Sequence, residues 1–266
     1  MQPYKIVAPS SKQVPILISV PHCGTFFPEE IRQEYKADLI QSPDDTDWFV
    51  DQLYDFAPAM GMTMITAVNS RWVIDLNRDP ESKPLYTDGR IITALCPTTT
   101  FLGESLYNDK RTEVKKDEVN RRLKQYYLPY HQQIQLQLDD LKKKFGKVLL
   151  WDCHSIRQFV STIQPGKFPD LILGDADEAS APKTLIETTL KNLGSDVYSV
   201  NHNHPFKGGT ITRTFGKPSQ HQYALQLEMC KVHYMDDTET RYDEARANHM
   251  RSLLQKTFNA LIKELQ

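Results

Sequence analysis

The sequence has no apolar run approaching the roughly 20 residues that span a bilayer, so hydropathy gives no transmembrane helix. It also lacks an excess of charge of either sign. The formal net charge is −2, which leaves the chain no electrostatic reason to seek nucleic acid or an anionic membrane. Cysteine is scarce: Cys23, Cys96, Cys153 and Cys230 are all there are. Their spacing matches neither a CxxC zinc site nor a disulfide framework, so they read as free thiols in a reducing compartment. The start, Met1-Gln2-Pro3-Tyr4-Lys5, has no basic stretch followed by an apolar one. No secretory signal is expected, and the cytoplasm is the default location. There is no GxSxG elbow, and Ser155 beside His154 is an adjacent pair rather than a spatial triad, which argues against a serine hydrolase. Neither an internal repeat nor a linker stands out. With 39% apolar and 25% charged residues, the composition is that of an ordered globular protein. A chain of 266 residues suffices for one large domain, and a single domain over 1–266 is expected.

Strands and helices alternate in what is present. Residues 14–20, VPILISV, form a short β-branched apolar run ending at Pro21 and read as a buried strand. Ser42-Pro43-Asp44-Asp45 reads as a helix start, with the helix running to about Met60 and stopping at Gly61. Residues 63–68, 72–76, 147–151, 171–173, 197–200, 210–213 and 223–229 read as further strands. Residues 113–145 read as one long helix or two, broken near Pro129 and stopped at Gly146, and residues 241–265 as a C-terminal amphipathic helix. The stretch 78–108 is rich in Pro, Gly and Thr but carries Leu85, Tyr86, Leu95, Phe101 and Tyr107. It reads as an ordered active-site loop. The pattern predicts one α/β domain, its central sheet mixed but largely parallel and flanked by helices.

In an open α/β sheet, ligands bind beyond the carboxyl ends of the strands. Three such ends carry chemistry: Pro21-His22-Cys23-Gly24, Asp152-Cys153-His154-Ser155, and Glu228. Two neutral imidazoles and a carboxylate suit a catalytic zinc, which commonly has three protein ligands and a water. Alone, His22 would more often be a hydrogen-bonded core residue; Gly24 strengthens it by allowing close backbone approach to a ligand. His154 has Asp152 two residues earlier, placed to orient its ring. The third ligand is expected from Asp44, Asp45 and Asp47. Asp47 is the better candidate, because Asp44 and Asp45 are accounted for by a helix N-terminus; Asp45 stays open.

Asn77 and Arg78 can hold a carboxylate. Arg71 is a further cation, and the Gly208-Gly209 turn leads to Arg213, an anion-binding candidate. Gln226 and Glu228 share one strand face, which puts an acid where a general base would be needed. His202 and His204 lie in a turn-like segment and are set aside as metal ligands.

Seven segments together resemble the N-formylglutamate amidohydrolase (deformylase) family: PHCG at 21–24, DTDW at 45–48, SRWVIDLNR at 70–78, LCPTTTF at 95–101, LLWDCHSI at 149–156, FKGGTITRTFG at 206–216 and LQLEM at 225–229. The resemblance spans most of the chain and implies a zinc-carboxypeptidase-like fold. It implies hydrolysis of N-formyl-L-glutamate to formate and glutamate, a step of histidine degradation. On that plan His22, Asp47 and His154 hold Zn²⁺, Asn77-Arg78 hold the substrate α-carboxylate, and Glu228 is the general base. Arg71 and Arg213 are then available for the second carboxylate. The loop at 89–94 departs from the family pattern at Arg90 and Ala94, as does Asn69 before Ser70-Arg71. Those changes leave room for another N-acyl amino acid as substrate, or for a binding protein on the same scaffold.

Overall fold

The computed structural model describes residues 2–81, 83 and 93–266. Among the described residues, seven strands form one sheet: β1 Tyr4–Val7, β2 Ile16–Val20, β3 Thr63–Ala67, β4 Val148–Ile156, β5 Leu171–Gly174, β6 Val200–His202 and β7 Gln222–Cys230. Their order is β1-β3-β2-β4-β7-β5-β6. The pairs β2–β3, β2–β4, β4–β7 and β5–β6 are parallel, while β1–β3 and β5–β7 are antiparallel. The sheet is therefore mixed and mostly parallel, as the alternating pattern implies. The helices are α1 Glu29–Arg32, α2 Val50–Leu53, α3 Lys116–Arg122, α4 Leu128–Phe145, α5 Lys183–Leu193, α6 Thr210–Phe215 and α7 Glu244–Glu264.

The central strands are buried on both faces, which is why they read as continuous apolar runs. Alternation along them sorts the side chains. Ile16, Ile18, Val20, Leu149, Trp151, Leu225 and Leu227 pack on one face with Leu185 of α5 and Met250, Leu254 and Phe258 of α7. Leu17, Leu150 and Ala224 point to the other face, onto Ile134, Leu138 and Leu141 of α4. By the same period of two, Ser19, Asp152, His154, Gln226 and Glu228 belong to the α4 face. Polar residues there lie toward the carboxyl ends of β2, β4 and β7, beyond the apolar part of the core.

The helical stretch around 113–145 runs as one continuous helix from Lys116 to Phe145, passing through a π turn at Leu123–Tyr127 rather than breaking in two. Pro129 is the second residue after the π turn; its missing N–H cannot continue the α-helical ladder, and the wider turn falls where that ladder is interrupted. Gly146, at φ 80°, ends that helix in the left-handed conformation that glycine adopts most easily.

Several expected elements differ. Residues 42–60 are not one helix: turns lead into the short α2 and then the 3-10 turn Ala57–Met60, stopped by Gly61. Phe49 has φ 62°, which no continuous helix tolerates, and Asp45 and Asp47 turn inward instead of capping a helix. Residues 72–76 form a buried turn, with Val73 N donating to Ser70 O. They are apolar because they fill the core under α4, not because they pair in the sheet. Residues 210–213 form the start of α6, despite three β-branched residues, with Arg213 N donating to Gly209 O. The strand expected at 147–151 continues to Ile156, so Asp152 and His154 lie within β4, and the one expected at 197–200 becomes β6, beginning only at Val200. Gly24 serves a different close approach from the one expected: a Cβ there would lie 2.3 Å from Asn69 O. The glycine lets the chain after β2 cross the chain after β3. Residues 84–92, with Leu85, Tyr86 and Arg90, lie outside the described residues. All four cysteines are free. No helix among the described residues is long and apolar enough to cross a membrane.

His131 on α4 is buried, and its Nε2–H donates to Leu76 O at 2.8 Å. Burial pushes its pKa down to about 4 from an ordinary 6.5. The unfolded chain therefore takes up the proton first as pH falls. The resulting stability is complete above about 6.5 and is lost between there and about 4, a difference of about 3 kcal/mol. Urea unfolding at about pH 7 and about pH 4 is expected to show wild type losing roughly 3 kcal/mol more than His131→Gln across that interval. Equal losses would contradict the assignment.

Candidate active site

Parallel pairing of β2, β4 and β7 puts their carboxyl ends along one edge of the sheet, and the polar side chains converge there. His22 follows β2 by two residues, and His154 lies near the end of β4. Asp47 comes from the turn before α2, held in place by its backbone N donating to His22 O at 3.0 Å. The Nδ1 atoms of His22 and His154 are 3.1 Å apart. Asp47 Oδ2 lies 3.6 Å from His22 Nδ1 and 3.3 Å from His154 Nδ1. All three residues are buried. Among the described residues they form a group able to offer three ligand atoms to one ion, all within 4.8 Å of one another.

What stands behind each ring fixes its tautomer. His22 Nε2 is 2.8 Å from Asp75 Oδ1, and His154 Nε2 is 2.8 Å from Asp152 Oδ2. A carboxylate accepts, so each Nε2 carries a hydrogen and each Nδ1 keeps its lone pair. The two carboxylates are anchored in turn. Ser19 Oγ donates to Asp152 Oδ1 at 2.9 Å, Asn77 N to Asp75 Oδ1 at 2.9 Å, and Arg71 Nη2 to Asp75 Oδ2 at 2.6 Å. Two lone pairs this close repel unless a proton or a metal ion lies between them. Asp47 makes the requirement sharper, because among the described residues both of its buried carboxylate oxygens lack a hydrogen-bond partner. A buried carboxylate without a donor is costly. Burial raises the proton affinity of Asp47, but the close approach and charge of His154 and His22, 3.3 and 3.6 Å away, outweigh it and hold the carboxyl below its usual range. For His154, burial acts downward, and the charge and hydrogen bond of Asp152 prevail and raise its pKa. Two oriented imidazoles and an orphaned carboxylate fit a divalent cation.

Asp45, the other aspartate left open, is engaged elsewhere. Its carboxylate accepts from Trp72 Nε1 at 2.8 Å and from Phe101 N at 3.1 Å. It ties the loop around Phe101 to the buried turn at 72–76.

Glu228 lies directly across from His154 in the β4–β7 register. It is half-buried, and its carboxylate accepts no hydrogen bond among the described residues. Burial pushes its pKa up to about 8, against the opposing charge of His154. Arg71 is also at the site: its Nη1 is 3.9 Å from Asp47 Oδ1, and its guanidinium lies over the Phe101 ring at 4.7 Å. Asn77 lies behind the pair Asp152–His154. Its Nδ2 is 3.0 Å from His154 Nε2 and 3.2 Å from Gln226 Oε1, and its Oδ1 accepts from Ile211 N at 2.8 Å. Gly209 leaves room for this amide, since a Cβ there would lie 2.4 Å from Asn77 Nδ2. Arg78 Nη2 donates to Thr93 Oγ1 at 3.2 Å, and its Nε is 3.7 Å from Asp75 Oδ2. Arg213 is exposed on α6, with its Nε donating to Gly208 O at 3.1 Å. His202 is paired with Asp175 at 2.7 Å, in keeping with a structural role.

Asp75 falls outside the residues expected at the site, although its place four residues after Arg71, with which it pairs, is a signal the sequence carries. Gln226 does more than share a strand face with Glu228: its amide oxygen accepts from Gly209 N at 2.8 Å.

Residues 14–235 match the model of the family described as N-formylglutamate amidohydrolase. An N-formylglutamate deformylase of Pseudomonas putida is 38% identical over 261 residues, covering 97% of this chain and 96% of the relative. One from Pseudomonas aeruginosa is 39% identical over 229 residues, covering 85% and 84%. The crystal structure of an N-formylglutamate amidohydrolase from Ralstonia eutropha has the same fold, with a TM-score of 0.83 at 24% identity, covering 100% of this chain and 99% of its own. A gene product from Agrobacterium tumefaciens matches with a TM-score of 0.72 at 17% identity, over 98% and 96% of the two chains.

Removing the carboxylate behind His22 tests the centre. Asp75→Asn is expected to weaken zinc binding by about 10–100-fold, the usual effect of losing a partner that orients a ligand histidine. Competition with a chromophoric chelator measures it, alongside circular dichroism as a check on folding. Wild-type affinity in a folded variant would remove Asp75 from this role.

Proposed function

The chain belongs to the N-formylglutamate amidohydrolase family, and on that premise we propose that it hydrolyses N-formyl-L-glutamate to formate and L-glutamate at the His22–Asp47–His154 group. The observation that carries the reading is Glu228. A carboxylate with no hydrogen bond among the described residues faces that group across the β4–β7 register, and its pKa is lifted to about 8. A group with such a proton affinity both accepts and returns a proton near neutrality.

His22 Nδ1, His154 Nδ1 and an oxygen of Asp47 would hold the ion, and zinc suits two imidazoles and a carboxylate. Such an ion, when bound, activates water and polarises the amide carbonyl. The chain's own residues do the rest. Asp75 and Asp152 keep the imidazole lone pairs directed at one point. Asn77 supports Asp152 and His154 from behind. Glu228 takes a proton from the water that attacks the formyl carbon. As the C–N bond breaks, it delivers that proton to the leaving nitrogen, releasing the amino group of glutamate. Arg78 holds the substrate α-carboxylate, the role its place beside Asn77 suggests. Arg71, beside Asp47, adds positive charge near the developing oxyanion. Arg213 remains a candidate for outer contacts to the substrate. The whole chain works as a single catalytic domain on a small N-acyl amino acid, and its free thiols suit the cytoplasm.

The test is formate release from N-formyl-L-glutamate by the purified protein and by Glu228→Gln. The variant is expected to keep its zinc and to lose at least about 100-fold in kcat, the lower bound for a general acid–base group. Near-wild-type turnover in the variant would remove Glu228 from the mechanism. No formate from a folded, zinc-loaded wild type would reject this substrate.

A further inference from the structure

Lys231 follows the last residue of β7 and is 2% exposed. Its ammonium donates to Asp44 O at 3.1 Å. Among the described residues, no carboxylate oxygen lies within the 4.0 Å of an ion pair. An ammonium has three donors, so a buried cation is left without a counter-ion and with hydrogen-bonding capacity in hand. The nearby arginine does not share that condition, because Arg157 is neutralised by Asp44 and Glu239. Burial lowers the proton affinity of Lys231, against the charges of Asp47 and Asp44, and a ligand anion would oppose that effect.

Lys231 lines a cavity of about 40 Å³ together with Asp45, Phe101, Leu102, Ile156 and Val160. That space admits more than one water-sized group. The walls are shared with the candidate centre. The Asp45 carbonyl accepts from Arg71 Nη1 at 3.4 Å, and the Phe101 ring lies beneath the same guanidinium at 4.7 Å. Arg71 in turn approaches Asp47. A mostly apolar cavity that borders a buried cation, with Asp44 and Arg157 neutralising each other in its lining and Asp45 linking it to Arg71, matches a short aliphatic arm bearing a carboxylate. The other cations considered for that arm fit it less well: Arg71 is already paired with Asp75, and Arg213 lies exposed on α6.

We infer that Lys231 receives the side-chain carboxylate of an N-acyl-glutamate substrate in this cavity, with the side-chain methylenes against Phe101, Ile156 and Val160. The inference rests on the hydrolytic reading above and makes Lys231 the residue that selects an acidic side chain.

The experiment compares kcat/KM for N-formyl-L-glutamate with that for N-formyl-L-norvaline, which replaces the carboxylate by a methyl group. Wild type and Lys231→Met are measured with zinc content and melting temperature as controls. The wild-type preference for the glutamate derivative is expected to fall by at least about 30-fold in the variant, the lower range for a buried charge pair losing one partner, and mainly through KM. A preserved preference in a folded, zinc-loaded variant overturns the role of Lys231 and leaves the hydrolytic reading intact. Hydrolysis of neither compound by wild type overturns both. Should Lys231→Met fail to fold, Val160→Phe decides, because it fills the cavity and keeps the charge. It is expected to raise KM for N-formyl-L-glutamate relative to N-formylglycine by at least about 10-fold, and an unchanged ratio overturns the proposal.

Discussion

The arrangement of the site depends on one constraint: two imidazole nitrogens held 3.1 Å apart with their lone pairs converging, beside a carboxylate that has no donor among the described residues. Neither ring can turn away. Asp75 holds one Nε2 and Asp152 the other, both at 2.8 Å. Such a cluster is unfavourable when empty of positive charge and favourable when a cation or proton fills it. A metal ion at His154 Nδ1 would compete with a proton there, and the charge of Asp152 favours the doubly protonated ring, so occupancy of this centre would be coupled to pH.

The sheet makes the constraint enforceable. Parallel neighbours bring β2, β4 and β7 to a common edge, and the two-residue period directs Ser19, Asp152, His154, Gln226 and Glu228 to one face. Backbone and side chain then lock together. Ser19 fixes Asp152, Gln226 accepts from Gly209 N at the start of α6, and Asn77 bridges Gln226 to the His154 side. The turn carrying Arg71 and Asp75 is clamped from the far side by Arg122 on α3, which donates to Val73 O at 3.0 Å. A rigid frame of this kind positions reacting groups before substrate arrives.

Much of the frame was legible in the sequence because burial on both faces writes itself as short, nearly continuous apolar runs, as at residues 16–20 and 148–151. The histidines were legible because strand ends are where open α/β sheets gather ligands. What escaped was set by tertiary contacts. Residues 72–76 look like a strand because they are buried, but they are buried as a turn. Residues 42–60 look helical by their Ser-Pro-Asp start, yet Asp45 finds partners across the fold, Asp47 turns in toward the two histidines, and Phe49 takes a left-handed conformation. Thr210, Ile211 and Thr212 carry strand propensity, overridden where Asn77 and Gln226 accept and direct the first turn of α6. Asp75 escaped because its partner His22 is 53 residues away. Lys231 escaped because a lysine at a strand end is ordinarily solvated, and only its surroundings set it apart.

The most direct test of the central claim is zinc K-edge X-ray absorption on the zinc-loaded protein, with Asp47→Asn as comparison. The account predicts a first shell of imidazole nitrogens and oxygens, with the outer-shell scattering of two histidine rings, and a weakened or altered oxygen contribution in the variant. Absence of imidazole scattering, or a sulfur-containing shell, would contradict it.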